Sequence, residues 1–413
     1  MAGSHDLRRK KHQRRLAVAL AIWGALVVGT TLAPVDGGST TASACLFCGA
    51  RGLADAALNV VMFAPFGLWL GVRFGIGPLA AVLAGALVSA GIEATQIAVP
   101  GRSATLGDIV WNAVGALLGV ALLGLLRRTT MPESTNHAVG AAAAFTAWVL
   151  FAGALTIPQG TDSQYFGMWT PALDYMPQYQ GSVRSAELDG NLIPRGGPLP
   201  DASAIPRALL GTWSLEATVV VGPAPPAVAA IVAIYDGDQR EIALLGADGN
   251  DLVWRERLLA DRMKMDKPDV RFSGALTPFT EGTEVTLSVR RAGTVRCLAV
   301  DAVERCSPSA TIDRSWAFLR WVGGSSAWHD ALDVLWLLAL SLPIGFLSRT
   351  IGQTCAAGSL ATAAVLVAVV LTPLGPPGPL EVLGGVAGVA TGRWIRWMAL
   401  RNHDAWSPST ASR

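Results

Sequence analysis

The chain has 413 residues, of which 51% are hydrophobic and 15% are charged, and its formal net charge is +2 at pH 7. This charged fraction is well below the roughly 25% that is usual for soluble domains, so the composition indicates a membrane protein. The net charge is small and no basic stretch is interleaved with aromatic residues, which argues against binding to nucleic acid.

Apolar runs of spanning length predict an α-helical polytopic membrane protein, because a helix needs about 20 apolar residues to cross a bilayer. The runs fall into a group of five and a later group of three. The eight predicted spans are Leu16–Leu32, Leu53–Val72, Leu79–Val99, Leu106–Leu126, Ala138–Ile157, Ala331–Leu347, Thr354–Leu371 and Pro379–Leu400. Pro343 and several glycines interrupt the later runs, and membrane helices tolerate such residues.

Basic residues set the predicted orientation, since positively charged loops stay in the cytoplasm. The cluster from Arg8 to Arg15 precedes the first run and places the N-terminus inside. Counting spans from there puts the C-terminus inside as well and residues 160–327 outside. Ala42-Ser43-Ala44 leaves a second interpretation open, in which the first run is a signal peptide that is cleaved before Cys45.

Residues between Ile157 and His329 lack any run that is long enough to cross a membrane. Short β-type runs separated by turn signals such as Asp236-Gly237 predict an inserted all-β sandwich. Asp236 and Asp238 are acidic, but Asp-Gly-Asp more often makes a turn than a calcium site. Trp213 and Trp254 are candidates for stacking on sugars, although aromatic residues at alternating strand positions more often belong to a core.

The cysteines are predicted to have structural roles outside the cell. An extracytoplasmic location permits a disulfide between Cys297 and Cys306. Cys45 and Cys48, in Cys-Leu-Phe-Cys, are interpreted as structural or oxidised, because no second Cys or His pair is present to complete a zinc site. We therefore predict no metal site and no cofactor.

Two membrane blocks share a spacing pattern. Residues 53–126 and 328–400 each contain three predicted spans, and an acidic residue in each is followed by small residues at the same intervals. The matching positions are Asp108, Asn112, Gly115 and Gly119 in one block and Glu381, Gly385, Gly388 and Gly392 in the other, with Pro65-Phe-Gly67 resembling Pro343-Ile-Gly345. The pattern favours a parallel repeat whose second copy is degenerate, and the alternative is coincidence among glycine-rich helices.

Polar side chains occur in the apolar helices of the first block at one predicted depth, in the outer part of the membrane. The candidate ligand-binding residues are Asn59, Glu93, Gln96, Arg102, Asp108 and Asn112. An unpaired carboxylate at this depth costs at least a few kcal/mol. Either Arg102 neutralises Glu93 or Asp108 and ties the hairpin together, or the polar groups line a pocket that opens outward.

Glycines in the same helices are predicted to mediate helix packing. Gly67 with Gly71, and Gly115 with Gly119, form small-xxx-small pairs, which allow two helix backbones to approach closely. The polar faces of neighbouring helices would then meet around a shared site.

These polar and glycine positions, in this order and spacing, resemble the VanZ family of bacterial membrane proteins, which is named for teicoplanin resistance. The resemblance covers about Leu16 to Arg128 and rests on Asn59, Pro65, Gly67, Glu93, Gln96, Gly101-Arg102-Ser103, Asp108, Asn112 and Gly115. It implies a multi-pass protein of the bacterial cytoplasmic membrane that is linked to glycopeptide resistance or the cell envelope, without a settled enzymatic mechanism.

The inserted region is similar, more weakly, to laminin G and concanavalin A-like sandwiches, which have a jelly-roll fold. Trp213-Ser-Leu-Glu-Ala, Asp236-Gly237 and Leu252-Val-Trp-Arg-Glu-Arg257 carry this likeness over about Gly160 to Gly324. The likeness implies carbohydrate binding without identifying a ligand.

The predicted organisation follows from these patterns. The domains are a cytoplasmic basic tail at 1–15, a VanZ-like membrane block at 16–128, the fifth span with its flanks at 129–159, the extracytoplasmic sandwich at 160–327, a C-terminal membrane block at 328–400 and a cytoplasmic tail at 401–413. The sequence lacks an H-E-x-x-H zinc pattern, a Gly-x-Ser-x-Gly elbow and a phosphate-binding loop, so no enzymatic activity is predicted.

The leading functional hypothesis is an envelope membrane protein that binds an amphiphile in the polar pocket of its first block. Membrane lipids are expected partners, together with cell-wall glycan, a lipid-linked envelope precursor or a glycopeptide. Arg102 would pair with an anionic group of the ligand. One rival is a carbohydrate-binding receptor or adhesin whose helices only anchor it, and a weaker rival is a lipid or drug transporter.

Overall fold

A computed structural model describes residues 18, 20–25, 27–34, 43–129, 137–161, 164–200, 211–320 and 327–404. The predicted tail at 1–15 and most of the tail at 401–413 lie outside these ranges. The chain forms two compact units, Met1–Thr135 and Asn136–Arg413. The first unit is helical, whereas the second combines helices with a β domain.

Helices of the first unit follow the predicted apolar runs. They are α1 (Leu20–Thr31), α2 (Gly52–Phe74), α3 (Pro78–Gln96) and α4 (Leu106–Thr129). Gly75 ends α2 in the left-handed conformation, with φ of 66°, and its N–H donates to the Gly71 carbonyl. Pro78 starts α3, where its missing N–H costs no helical hydrogen bond.

The second unit holds the remaining helices. They are α5 (His137–Leu155), the short α6 (Leu259–Arg262), α7 (Ala327–Leu347), α8 (Ile351–Leu371) and α9 (Pro379–Asp404). α5 was expected in the first group of five spans, but it belongs to the second unit and packs against α7 and α8. Gly153 of α5 allows this approach, because a Cβ there would lie 2.7 Å from Thr372 Oγ1.

Six helices of the described residues are long and apolar enough to cross a membrane, and they make the chain a multi-pass membrane protein. They correspond to α2, α3, α4, α5, α7 and α8. Of the other two predicted spans, α1 is short, and α9 is less apolar because it carries Arg393 and Arg396. The count of eight spans therefore remains a prediction.

Two helix pairs pack with the same register. In the first unit α2 lies against α4, and in the second α7 lies against α9. A Cβ added to Gly67 would overlap the backbone of Ala116, and one added to Gly345 would overlap the backbone of Val389. These contacts are equivalent in the spacing pattern. Gly119 against Ala64 is likewise matched by Gly392 against Leu342, and Gly115 against Val60 is matched by Gly388 against Leu338.

The β domain lies between α5 and α7 in the sequence. Its strands are β1 (Tyr165–Trp169), β2 (Ser182–Leu188), β3 (Asn191–Leu192), β4 (Gly196–Pro198), β5 (Ser214–Val220), β6 (Ala229–Asp236), β7 (Glu241–Asp248), β8 (Asp251–Glu256), β9 (Val270–Phe272), β10 (Glu284–Ala292), β11 (Val295–Val300), β12 (Val303–Pro308) and β13 (Ala310–Thr311). Strands β1 to β12 form two antiparallel six-stranded sheets, with orders β4-β1-β6-β7-β8-β9 and β12-β11-β10-β5-β2-β3. The predicted two-sheet antiparallel architecture is therefore present.

The main core of the β domain lies between the two sheets. Leu215 of β5 and Val289 of β10 in one sheet share a buried cluster with Ile231 of β6 and Leu245 of β7 in the other. β5 alternates buried and more exposed residues, as expected for a strand with one buried face. β6 is buried along its whole length, because a second apolar cluster covers the opposite face of its sheet.

A buried ion pair crosses the β domain. The Arg296 guanidinium on β11 donates to the Glu256 carboxylate on β8, with Nε–Oε2 of 3.1 Å and Nη2–Oε1 of 2.5 Å. Ser309 Oγ donates to the same carboxylate at 3.2 Å. Arg296 is fully buried and Glu256 is 4% exposed, so each charge depends on the other. These residues are 40 positions apart, and the sequence pattern did not indicate their pairing.

Several contacts attach the β domain to the helices of its own unit. The Trp148 indole of α5 and the Trp336 indole of α7 both donate to Ser315 Oγ at 2.9 Å. Ser315 belongs to a 3₁₀ helix, Asp313–Phe318, that follows β13. β13 pairs in parallel with β14 (Leu374–Gly375), which connects α8 to α9.

Candidate functional site

The predicted polar residues of the first unit gather near the turn that connects α3 to α4. Glu93 and Gln96 lie at the end of α3, and Asp108 and Asn112 lie in the first turns of α4. Gly101 gives the connecting turn a φ of 74°, a conformation that favours glycine. Asn59 extends from α2 to the same place, since it contacts Asp108.

Asp108 is held from two sides. The Asn59 amide on α2 donates a short hydrogen bond to Asp108 Oδ1. The backbone N–H of Asp108 donates to Thr105 Oγ1 at 3.0 Å, so Thr105 caps the start of α4. The Asp108 carboxylate therefore has one neutral donor, Asn59, and lies half-buried at the junction of α2 and α4, where Thr105 fixes its backbone.

Glu93 is the more buried of the two carboxylates, with 6% of its surface exposed. Its Oε2 accepts a hydrogen bond of 2.7 Å from the backbone N–H of Thr105. Glu93 also lies close enough to Asp108 for the two like charges to repel each other. Thr105 thus brings two carboxylates together at the start of α4.

Arg102 does not pair with either carboxylate, in contrast to the structural alternative that the sequence raised. Its Nε donates to the carbonyl of Ala33 at 2.8 Å, and its Nη2 donates to the carbonyl of Thr30 at 2.6 Å. These carbonyls lie at the end of α1, where helical carbonyls lack intrahelical partners and attract a cation. Within the described part of the chain, neither Glu93 nor Asp108 forms an ion pair.

The two amide residues connect α3 to its neighbours. Asn112 Nδ2 donates to Ser89 Oγ of α3 at 2.8 Å, while Asn112 Oδ1 is buried without a hydrogen-bond partner. Gln96 Nε2 donates to the Thr31 carbonyl of α1 at 2.9 Å. The six polar residues therefore do not form one cluster. Asn59, Asp108, Glu93 and Thr105 make a local carboxylate site, and the others mainly join helices.

A disulfide loop lies against the start of α4. Cys45 and Cys48 form a disulfide. The Gly107 N–H donates to the Cys45 carbonyl at 3.1 Å, and the Trp111 indole donates to the Leu46 carbonyl at 2.9 Å. The loop thus gives hydrogen-bond partners to groups at the start of α4, in line with a structural role for these cysteines.

The match to known proteins concerns this same region. Residues 13–127 match the family model described as VanZ/LLP1. These residues form a VanZ-like domain. The VanZ-like range includes all six predicted site residues, and this family is associated in general with teicoplanin resistance. No curated protein and no solved structure matches the chain.

Two aromatic candidates in the β domain are core residues. Trp213 is 3% exposed and Trp254 is 2% exposed, and their ring centroids are 5.0 Å apart. They belong to the cluster between the sheets and are not accessible to a sugar. The core interpretation was therefore correct for both residues.

The Asp-Gly-Asp sequence at positions 236–238 makes a turn. Asp236 Oδ1 accepts hydrogen bonds from the backbone N–H groups of Asp238 and Arg240, at 3.0 and 2.9 Å. The side chain therefore stabilises the connection from β6 to β7. Cys297 and Cys306 are opposite each other on β11 and β12 and form a disulfide.

The β domain has a cleft that the sequence analysis did not identify. Its volume is about 520 Å³, and Tyr179, Pro225, Asn250 and Phe279 line it together with backbone groups. The Tyr179 hydroxyl accepts a hydrogen bond of 3.2 Å from the Gly222 N–H, which fixes one wall. The cleft lies beside the Gly249-Asn250 turn between β7 and β8. Its residues come from four distant segments, so no local pattern indicates them.

Proposed function

We propose that the VanZ-like domain binds the head group of an amphiphilic cell-envelope molecule at the junction of α2, α3 and α4. Glu93 and Asp108 would contact the head group, with Asn59 and Thr105 holding the carboxylates in position. The apolar faces of the surrounding helices would accept the lipid chain. This function requires that the α3–α4 turn faces the outside of the cell, as the distribution of basic residues predicts.

The observation that supports this proposal most is a pair of carboxylates that forms no ion pair with any described residue. Their hydrogen bonds come from an amide and a backbone N–H, which are neutral groups. Two neighbouring negative charges in a membrane domain are costly unless a cation neutralises them. Arg102 is occupied at the end of α1. An ammonium group of the ligand is therefore the chemistry that fits, rather than the anionic group that was expected to pair with Arg102.

Binding to defined lipids tests the ammonium requirement directly. Purified full-length protein would be incubated with phosphatidylethanolamine or phosphatidylglycerol of matched chains, and bound lipid would be measured by native mass spectrometry. Asp108→Asn and Glu93→Gln keep the shape of each side chain and remove its charge. We expect each change to lower phosphatidylethanolamine retention about 10- to 150-fold, the equivalent of one charge-assisted hydrogen bond. Equal retention of the two lipids by the unsubstituted protein would contradict the proposal.

Teicoplanin susceptibility tests the biological role. A strain that lacks the gene would be complemented with Asp108→Asn, Glu93→Gln or a control, at matched membrane levels. Thr95→Val is a suitable control, because its exposed hydroxyl donates only within its own helix, to the Gly91 carbonyl at 2.6 Å. Altered susceptibility in the two carboxylate variants and not in the control would support the proposal.

A second candidate function is a carbohydrate-binding receptor that the helices anchor, and the cleft of the β domain favours it. Ala224→Trp would fill the cleft, in which Ala224 is an exposed lining residue. Val303→Trp is a matched control, since Val303 lies on β12 and is 62% exposed. If susceptibility changes with Ala224→Trp alone, the receptor is favoured; if it changes with the carboxylate variants alone, the membrane site is favoured. If neither changes it, both proposals fail.

A further inference from the structure

A second group of carboxylates lies in the second unit, where the β domain meets the helices. Asp313 begins the 3₁₀ helix, Asp333 lies on α7 and Glu381 lies in the first turn of α9. One carboxylate oxygen from each residue lies within 4.8 Å of the other two. Three elements that are distant in the sequence thus bring three negative charges to one point.

The cluster is buried and has unsatisfied oxygens. Asp313 is 5% exposed and Asp333 is 2% exposed. Asp313 Oδ1 and Thr311 Oγ1, two residues earlier in the chain, are both buried without a well-aligned hydrogen-bond partner, although the Thr311 hydroxyl lies close enough to the Asp313 carboxylate to lower its pKa. Buried polar oxygens are nearly always paired in folded proteins, so an Asp313 oxygen without a well-aligned donor in a carboxylate cluster indicates a missing partner.

The known neighbours do not balance the charge. Arg314 Nε donates to Asp333 Oδ2 at 2.9 Å, and the Trp316 indole donates to Asp333 Oδ1 at 2.7 Å. Among the ion pairs of the described residues, Arg314 supplies one positive charge against three carboxylates, which leaves two negative charges. The pKa of Asp313 is raised to about 6, mainly by burial and also by the nearby Asp333 and Glu381 carboxylates, against the lowering effect of hydrogen bonds from Thr311 and the backbone. The environment therefore disfavours an ionised Asp313 unless a cation is present.

The first unit shows which donor the acid at the equivalent position has there. Asp108, which is equivalent to Glu381 in the spacing pattern, accepts a hydrogen bond from Asn59. Leu337 occupies the position equivalent to Asn59 and cannot donate. Among the described residues, Glu381 has no hydrogen-bond donor. The acid is kept while its donor is lost, and Asp313 and Asp333 lie beside it.

We propose that Asp313, Asp333 and Glu381 bind a divalent metal cation, with Ca²⁺ as the best fit. All three ligands are carboxylate oxygens, the ligand atoms that hard cations prefer. Softer metals prefer nitrogen or sulfur ligands. Ca²⁺–O distances of about 2.3–2.6 Å suit carboxylates that are up to 4.8 Å apart. Mg²⁺ demands shorter, octahedral bonds and usually keeps several waters. Thr311 Oγ1 is a candidate fourth ligand.

Terbium luminescence on the full-length protein tests the site. The protein would be purified in detergent, stripped of metal with EDTA and titrated with Tb³⁺, which tryptophans close to the ion sensitise. We expect saturable emission that Ca²⁺ displaces, and a melting temperature that rises by several degrees in Ca²⁺. Asp313→Asn and Glu381→Gln should each weaken binding about tenfold or more, because each removes one charged ligand.

Two variants locate the ion. Asp330→Asn is the matched control, because Asp330 is an acid on the same helix as Asp333 but its side chain is 76% exposed, and its ion pair with Arg314, at 3.7 Å, is longer than that of Asp333, at 2.9 Å. It should bind like the unsubstituted protein. Trp316→Phe should lose most of the sensitised emission and keep the Ca²⁺-dependent rise in melting temperature. The proposal is overturned if Ca²⁺ neither displaces Tb³⁺ nor stabilises the unsubstituted protein. It is equally overturned if Asp330→Asn weakens binding as much as Asp313→Asn does.

The unsubstituted protein alone distinguishes a cation from a proton, even if a variant fails to fold. A cation site predicts that Ca²⁺ raises the melting temperature at pH 7.5. A protonated Asp313 predicts that Ca²⁺ has no effect and that the melting temperature rises when the pH is lowered through about 6. The second outcome would contradict the proposal.

Discussion

The two glycine-based helix pairs, α2 with α4 and α7 with α9, differ in what surrounds the same contact. Three glycines of each pair lie against backbone at equivalent positions. In the first pair α3 also packs against α4, whereas in the second α8 packs chiefly against α5 rather than against α9. The same pairing of two helices thus occurs twice in the molecule, while the position of the third helix differs between the two units.

The residue that faces the third helix also differs between the two pairs. Asn112 of α4 donates to Ser89 of α3. Its equivalent, Gly385 of α9, has no atom within 4 Å of the position that a Cβ would occupy. The first pair has Asn112 at this position, where α3 supplies a hydrogen-bond partner. The second pair has Gly385, where no third helix of the described chain is within contact. Glycine spacing therefore determines which helices pair, and the polar residues determine what binds beside them.

Replacing the contact glycines should have the largest effect. Gly67→Leu and Gly345→Leu each place a side chain against helix backbone, so each helix pair must separate. We expect neither variant to accumulate as folded protein, measured by fluorescence-detected size exclusion. Gly124→Leu and Gly358→Leu are the controls, because nothing lies within 4 Å of either position. Loss in one pair only would show that the two pairs are not equivalent.

A second prediction concerns the side chains beside the glycine contacts, where Phe63 and Ser341 occupy equivalent positions. Phe63 is fully buried and its ring lies 5.8 Å from that of Trp23. Phe63→Ala should lower the free energy of unfolding by about 3–5 kcal/mol, because it leaves a cavity. Ser341 Oγ donates to the Gly385 carbonyl at 2.7 Å, and Ser341→Ala should cost about 1 kcal/mol. Chemical denaturation in mixed micelles measures both, and equal losses would contradict the packing described for the first pair.

The smallest expected effect comes from the contact between α3 and α4. Asn112→Gly removes the hydrogen bond to Ser89 and makes the first pair resemble the second, with an expected loss of about 1 kcal/mol. Hydrogen exchange should increase in α3 and remain unchanged in α2. Gly385→Ala is the counterpart in the second pair and should have almost no effect, because its surroundings are open. Faster exchange in α2 would show that Asn112 supports the pair itself.

The helical part was predictable because apolar length and glycine spacing are local properties. The α3–α4 hairpin begins and ends close to its predicted boundaries. Gly67, Gly115 and Gly119 lie against the backbone of a neighbouring helix, whereas Gly71 lies against the Leu123 side chain. The partner of Arg102 was not predictable in the same way. It depends on where α1 ends relative to the turn, and hydrophobic periodicity does not encode that distance.

The contacts in the second unit needed the tertiary structure. Glu256 and Arg296 pair across 40 residues, and the lining of the cleft comes from loops that no pattern relates. Glu381 was visible in the sequence as an acid in a repeat. Asp333 carried a weaker signal, an acid near the start of an apolar helix. Nothing in the sequence indicated that Asp313 would join them, since a 3₁₀ helix after a strand has no strong signature.

The parallel pairing of β13 with β14 imposes an order on biosynthesis. Thr311 pairs with Gly375, and between them the ribosome must make α7 and α8. About 60 residues at 5–20 residues per second take roughly 3 to 12 s. During that interval the β domain has all of its large sheets but lacks the partner of its final strand. The β13–β14 pairing therefore forms only after the membrane insertion machinery has received α7 and α8. The end of folding is thus coupled to the progress of translation.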